Sequence, residues 1–128
     1  MRDIKQEFIF QRLIVEMAST SADNKKNNKA MKMLQKIHAD FEKDIQTADS
    51  ILSELLKHEN ACVRSGAATH CVALGIRLEE AENVLLDVAK TSENRVISFN
   101  AWATLKVWKE QGFLSMYPEK GKSSKRIT

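Results

Sequence analysis

Apolar positions along the chain recur at three- and four-residue steps, not at every second residue, and they fall into six blocks divided by short polar breaks. In the first block, 3–19, Ile4, Phe8, Ile9, Leu13 and Met17 form the predicted stripe. Ser19-Thr20-Ser21 breaks it, and Ser21 or Asp23 can cap the next helix. The second block, 24–44, has an apolar face of Ala30, Met33, Leu34, Ile37 and Phe41. Lys25, Lys29, Lys32, Lys36 and Lys43 lie opposite as a solvated face. The third, 49–58, buries Ile51, Leu52, Leu55 and Leu56 behind an N-cap supplied by Thr47, Asp49 or Ser50.

The fourth block runs from about 60 to Gly75, a left-handed terminator. Small residues dominate it, so neighbouring helices can approach closely. The fifth, 78–91, buries Ala81, Val84, Leu85, Val88 and Ala89. The sixth, 95–111, ends at Gly112 and carries Val96, Phe99, Asn100, Ala103 and Val107 on one side. One proline and four glycines are too few turn residues for an all-β fold. The expected fold is all-α, about six helices stacked as antiparallel pairs in one domain over 1–117.

A shift of about 33 residues maps the third and fourth blocks onto the fifth and sixth. Ile51 meets Val84, Leu52 meets Leu85, Leu55 meets Val88, Val63 meets Val96, Ser65 meets Ser98 and Ala68 meets Ala101. The turns Glu59-Asn60 and Glu93-Asn94 match after a one-residue slip. Two helices per period of this size signal a helical solenoid.

The pattern Asn60-x-x-Val63-Arg64-x-x-Ala67-Ala68 resembles the second helix of HEAT-like repeats. Over 27–108, about two thirds of the chain, the sequence resembles a bacterial family of uncharacterised HEAT-like domains. Leu52–Leu56, Val63-Arg64, Ala67-Ala68-Thr69-His70, Leu85–Ala89 and Asn100-Ala101-x-x-Thr104-Leu105 carry the likeness. It is also similar to the compact HEAT- or armadillo-like immunity proteins of contact-dependent toxin systems. That resemblance implies a cytoplasmic inhibitor whose partner is a nuclease toxin domain encoded by a neighbouring gene.

Charge and cysteines narrow the picture. The formal charge is +3. Lys120, Lys122, Lys125 and Arg126 outweigh Glu119 in the last stretch, so the excess belongs to a basic tail at 118–128, expected to be solvated. Cys62 and Cys71 share one helix about 13 Å apart, beyond the roughly 7 Å a disulfide spans. They are expected as reduced, half-buried thiols. No apolar run reaches the roughly 18 residues of a membrane span, and the N-terminus is a poor signal peptide.

Catalytic and metal motifs are not found. His38, His58 and His70 fall on different blocks without His-x-x-x-His spacing, and there is no Cys-x-x-Cys, so neither metal nor cofactor is expected. Gly121-Lys122-Ser123 is like the end of a phosphate loop, but Met116 stands where the loop needs glycine. Clustered carboxylates at a helix start serve the helix dipole. The expected activity is therefore binding, not catalysis.

The second helices of such repeats line a binding face, which makes Ser65, Thr69, Arg95, Ser98, Trp102 and Lys106 the candidate partner surface. Trp102 is either an interface anchor or packs beneath Phe113 or Leu114, and Trp108 belongs to the core edge. Glu54, Glu59, Glu79, Glu80 and Glu82, with Asp49 and Asp87, form a candidate acidic patch for a basic toxin. A nucleic-acid-binding alternative rests on Arg64, Arg95, Lys106 and Lys109. A structural or scaffold role is the third reading.

Overall fold

The computed structural model describes residues 3–21 and 23–115, so the basic tail at 118–128 lies outside the described residues. The fold is all-α. Six helices follow one another: α1 (Ile4–Ser21), α2 (Asn24–Lys43), α3 (Ile45–Leu55), α4 (Ala61–Leu74), α5 (Leu78–Thr91) and α6 (Arg95–Gln111). They stack as antiparallel pairs, α1 with α2, α3 with α4 and α5 with α6. Among the described residues no helix is long and apolar enough to cross a membrane.

Local chemistry explains most boundaries. Asp23, Asn60 and Asn94 cap α2, α4 and α6 by accepting backbone N–H groups of the first turn. Gly75 and Gly112 end α4 and α6 in the left-handed conformation that glycine adopts without a Cβ clash. Helix α3 differs from expectation at both ends. It starts at Ile45, not near 49, because Asp44 closes α2 and caps α3 at once. Its Oδ1 accepts from Thr47 N at 3.1 Å and its Oδ2 from the Thr47 hydroxyl at 2.7 Å. No loop separates α2 from α3. At the other end, Lys57 N and His58 N reach back three residues to Glu54 O and Leu55 O, which tightens the chain out of the helix after Leu55.

The core is continuous and α4 is its axis. Cys62, Val63, Ser65, Gly66, Ala67, Ala68, His70, Cys71 and Val72 are all buried, as the small residues of this helix permit. The α3 stripe of Ala48, Leu52 and Leu55 recurs in α5 as Ala81, Leu85 and Val88, a shift of 33. The second helices recur at 34 instead: Asn60, Val63, Ala67 and Cys71 correspond to Asn94, Ile97, Ala101 and Leu105. One more residue lies between Val88 and Asn94 than between their counterparts Leu55 and Asn60, so the slip seen at the turn persists through the helix. A one-residue slip rotates a helix by about 100°. The core face of α6 is therefore Ile97, Ala101 and Leu105, not the side bearing Val96, Phe99, Asn100, Ala103 and Val107.

Helix α1 also corrects its expected stripe. Phe8, Gln11, Val15 and Ala18 are buried, while Met17 is 62% exposed. This helix does more than pair with α2; it crosses α4 and reaches the start of α6. Two helical neighbours take two sides of α1, and the buried face lies between them.

Candidate partner-binding surface

Helix α1 lies on one ridge of α4 and holds it with paired contacts. Arg12 Nε donates to Cys62 O at 3.0 Å, and Cys62 Sγ donates back to Arg12 O at 3.3 Å. The Arg12 side chain rests against Gly66, where a Cβ would overlap its Nε and Cδ. Each second helix is tied to α1 through its own capping asparagine. Asn60 Nδ2 donates to Glu16 Oε1 at 3.0 Å, and Asn94 Nδ2 donates to Ser19 Oγ at 3.1 Å.

On α4 the covered ridge is Cys62, Ser65, Gly66 and Thr69. At the 34-residue shift its counterpart on α6 is Val96, Phe99, Asn100 and Ala103. Helix α1 touches α6 far less than it touches α4, so most of this second ridge stays open. Val96 is 45% exposed and Phe99 is 61% exposed. Trp102, half exposed, joins it, its ring 5.8 Å from that of Phe99. Lys106 Nζ lies 5.5 Å from the centre of the Trp102 ring, a cation–π contact that holds the indole outward. Leu86 of α5, Trp102 and Leu105 line a shallow hollow here of about 320 Å³, rimmed by Glu82, Lys106 and Lys109. Helix α6 is apolar on two sides, one for the core and one for solvent.

The sequence-derived surface divides accordingly. Arg95, Trp102 and Lys106 are exposed on α6. Ser65 is buried under α1 and donates to Cys62 O, so it is not a surface residue. Thr69 is half-buried, its hydroxyl donating to Ser65 O. Ser98 is half-buried and donates to Ala89 O at 2.6 Å, which ties α6 to α5. Trp102 packs on Phe99, while Trp108 packs against the core edge with Lys109 Nζ 4.6 Å above it. Phe99 and Val96 were missed because a shift of 33 turned them inward. The Asn60/Asn94 cap equivalence held the signal for the correct register.

The acidic residues are spread over ion pairs. Glu54 pairs with Lys5 at 3.0 Å, Glu82 with Lys109 at 2.9 Å and Asp87 with Arg64 at 3.8 Å. Arg77 is held between Asp49, bidentate at 2.7 and 3.1 Å, and Glu80 at 2.9 Å. It sits in the left-handed region, φ 47°, as the residue before α5. The Arg77 guanidinium holds the Asp49 carboxyl below its ordinary range. Glu59 and Glu79 are exposed. Of the basic residues considered for nucleic acid, Lys106 also pairs with Glu110 at 3.6 Å, and Arg64 donates to His58 O and Glu59 O.

The histidines and thiols sit in the core. His38 Nδ1 and His70 Nδ1 are 2.8 Å apart, a pairing across α2 and α4 that motif spacing did not reveal. Phe8 and Phe41 present ring edges to His70, with centroids at 5.1 and 6.1 Å. Burial pushes the His70 pKa well below its ordinary value, and the neighbouring His38 and Arg12 push the same way. Burial lowers His38 too, against the pull of Glu42. Cys62 and Cys71 are fully buried, not half-buried. Burial raises the thiol pKa of both, that of Cys71 to about 12. Such thiols are poor nucleophiles, because the thiolate is the reactive form. Among the described residues no group of three His, Cys, Asp or Glu side chains is placed to hold a metal ion.

A second apolar hollow, of about 780 Å³, lies between α1 and α2. Phe10, Ile14, Met17 and Met33 line it, with Lys26 and Lys29 at its edge. No family model, no curated protein and no solved structure matches this chain.

Proposed function

We propose that this protein is a protein-binding module whose docking face is the outer side of α6, centred on Phe99 and Trp102. The carrying observation is the open ridge. Its counterpart on α4 is covered by a helix of the same chain, while Val96 and Phe99 meet solvent. An apolar ridge of this kind favours a partner that lays a helix or loop across it, as α1 does on α4. Exposed aromatic residues beside a cation are the composition of interface anchors.

The finer reading is immunity: the partner is a toxin domain that this protein neutralises in the cytoplasm. Its support is the resemblance to HEAT-like immunity proteins together with a rigid six-helix stack. The ion pairs that engage Glu54, Glu80 and Glu82 favour an apolar docking face over an acidic one. The local pairing of Arg64, Lys106 and Lys109 with carboxylates weighs against a nucleic-acid groove. The test is growth rescue. The C-terminal domain encoded by the neighbouring upstream gene is expressed alone and with this protein. Killing followed by rescue supports the immunity reading, and a harmless domain removes it.

A further inference from the structure

A polar cavity of about 130 Å³ opens where α1 leaves α4 and α6. Its walls include Arg12 from α1, Gly66 and Thr69 from α4, and Asn100 and Thr104 from α6. Arg12 is the one charged side chain on the wall. Its Nε is pinned to Cys62 O, and its guanidinium lies close against Gly66. That leaves the two Nη groups. Among the described residues Arg12 pairs with no carboxylate, and Glu16, one turn along α1, is engaged by Asn60.

The remaining groups on the wall divide by role. The Ser65 and Thr69 hydroxyls donate to their own helix, at Cys62 O and Ser65 O. The Asn100 amide and Thr104 hydroxyl stand on the α6 wall as further donors. His70 also borders the cavity, and its burial keeps the ring neutral there, so it adds no second charge. A guanidinium held by one nitrogen presents its other two as a fork, the geometry that matches carboxylate and phosphate oxygens. A space this small suits a single carboxylate or phosphate group.

We propose that this cavity is a binding site for a small oxyanion, a carboxylate or phosphoryl group gripped by Arg12 and completed by Asn100 and Thr104. The site stands independently of the docking face on α6, although Asn100 borders both. The test is an NMR titration of the ¹⁵N-labelled protein, following the Arg12 Nε–H and Asn100 Nδ2–H₂ signals. Sodium acetate and sodium phosphate are added separately, with sodium chloride at equal ionic strength as control. The expected result is a saturable shift with half-saturation in the millimolar range for acetate or phosphate, absent with chloride. Saturation by acetate alone marks a carboxylate site, and saturation by phosphate alone marks a phosphoryl site. Asn100→Asp brings a carboxylate within reach of Arg12 and raises the half-saturation concentration at least tenfold. Thr104→Val, a milder change, raises it severalfold with the fold intact. Shifts that stay linear with both anions, or saturation unchanged in both variants, overturn the proposal.

Discussion

The imidazoles of His38 and His70 meet Nδ1 to Nδ1 at 2.8 Å inside the core, joining α2 to α4. At that distance one Nδ1 carries the hydrogen and the other accepts it, so the pair is held with at least one ring neutral. Both pKa values are lowered in the folded state. Below the unfolded value of 6.5 the unfolded chain therefore binds more protons than the folded one. Stability is fully present above that pH and is lost as pH falls toward the folded pKa values. Each unit of lowering costs about 1.4 kcal/mol once both states have titrated. Urea denaturation at pH 7.5 and pH 5 is expected to show a clear drop. The carboxylates held low by Thr47 and Arg77, Asp44 and Asp49, act only in a more acidic window. A stability that is flat between pH 7.5 and 5 would contradict the pairing.

Asn60 and Asn94 do two jobs each, and one substitution separates them. Aspartate keeps the capping oxygen but loses the amide that reaches α1. At position 60 the new carboxylate faces Glu16; at position 94 it faces the Ser19 hydroxyl. Asn60→Asp is expected to destabilise by about 1–2 kcal/mol, from a lost hydrogen bond and like-charge repulsion, and Asn94→Asp by less. Thermal melts of the two variants check the order; a costlier Asn94→Asp would show that α1 is not seated on Glu16 and Asn60.

Gly66 and Arg12 form a coupled pair. Alanine favours a helix over glycine by about 1 kcal/mol. In the native protein that gain is offset, because the new methyl displaces Arg12 from its bond to Cys62 O. In an Arg12→Ala background the same change is expected to stabilise. A double-mutant cycle should give a coupling of about 1–3 kcal/mol, and a cycle that closes to zero would place Arg12 elsewhere.

Much of this arrangement was legible in the chain. Five of the six helices start within one residue of the position that periodicity and caps indicate; Asp23, Asn60 and Asn94 set three of those starts, and Gly75 and Gly112 set two ends, all by local chemistry. The start of α3 was not, because Asp44 serves two helices and a loopless junction carries no break in composition. The binding face was legible in part. Trp102 and Lys106 stand in the open, but one residue of register turned Phe99 inward, and Ser65, read as surface, is buried beneath α1. The covering of α4 by α1 is a long-range contact, and short-range spacing carries no trace of it. The same holds for the meeting of His38 and His70, which lie 32 residues apart.

Cys62 and Cys71 should be inert in the folded protein. Burial keeps both as thiols, so iodoacetamide at pH 8 is expected to label neither under native conditions and both in urea. Rapid native labelling, followed by mass spectrometry, would show that α4 opens readily.

The outer face of α6 is proposed to dock a protein partner. Its most direct test is the growth-rescue assay with Phe99→Ser and Trp102→Ala, each first shown to keep the helical signal and melting temperature of the parent. Both residues are about half exposed or more, so the fold should survive. The parent is expected to rescue, and either variant to weaken the complex by about 2 kcal/mol and reduce rescue, as loss of an interface anchor does. Full rescue by both folded variants would contradict it and move the docking face away from α6.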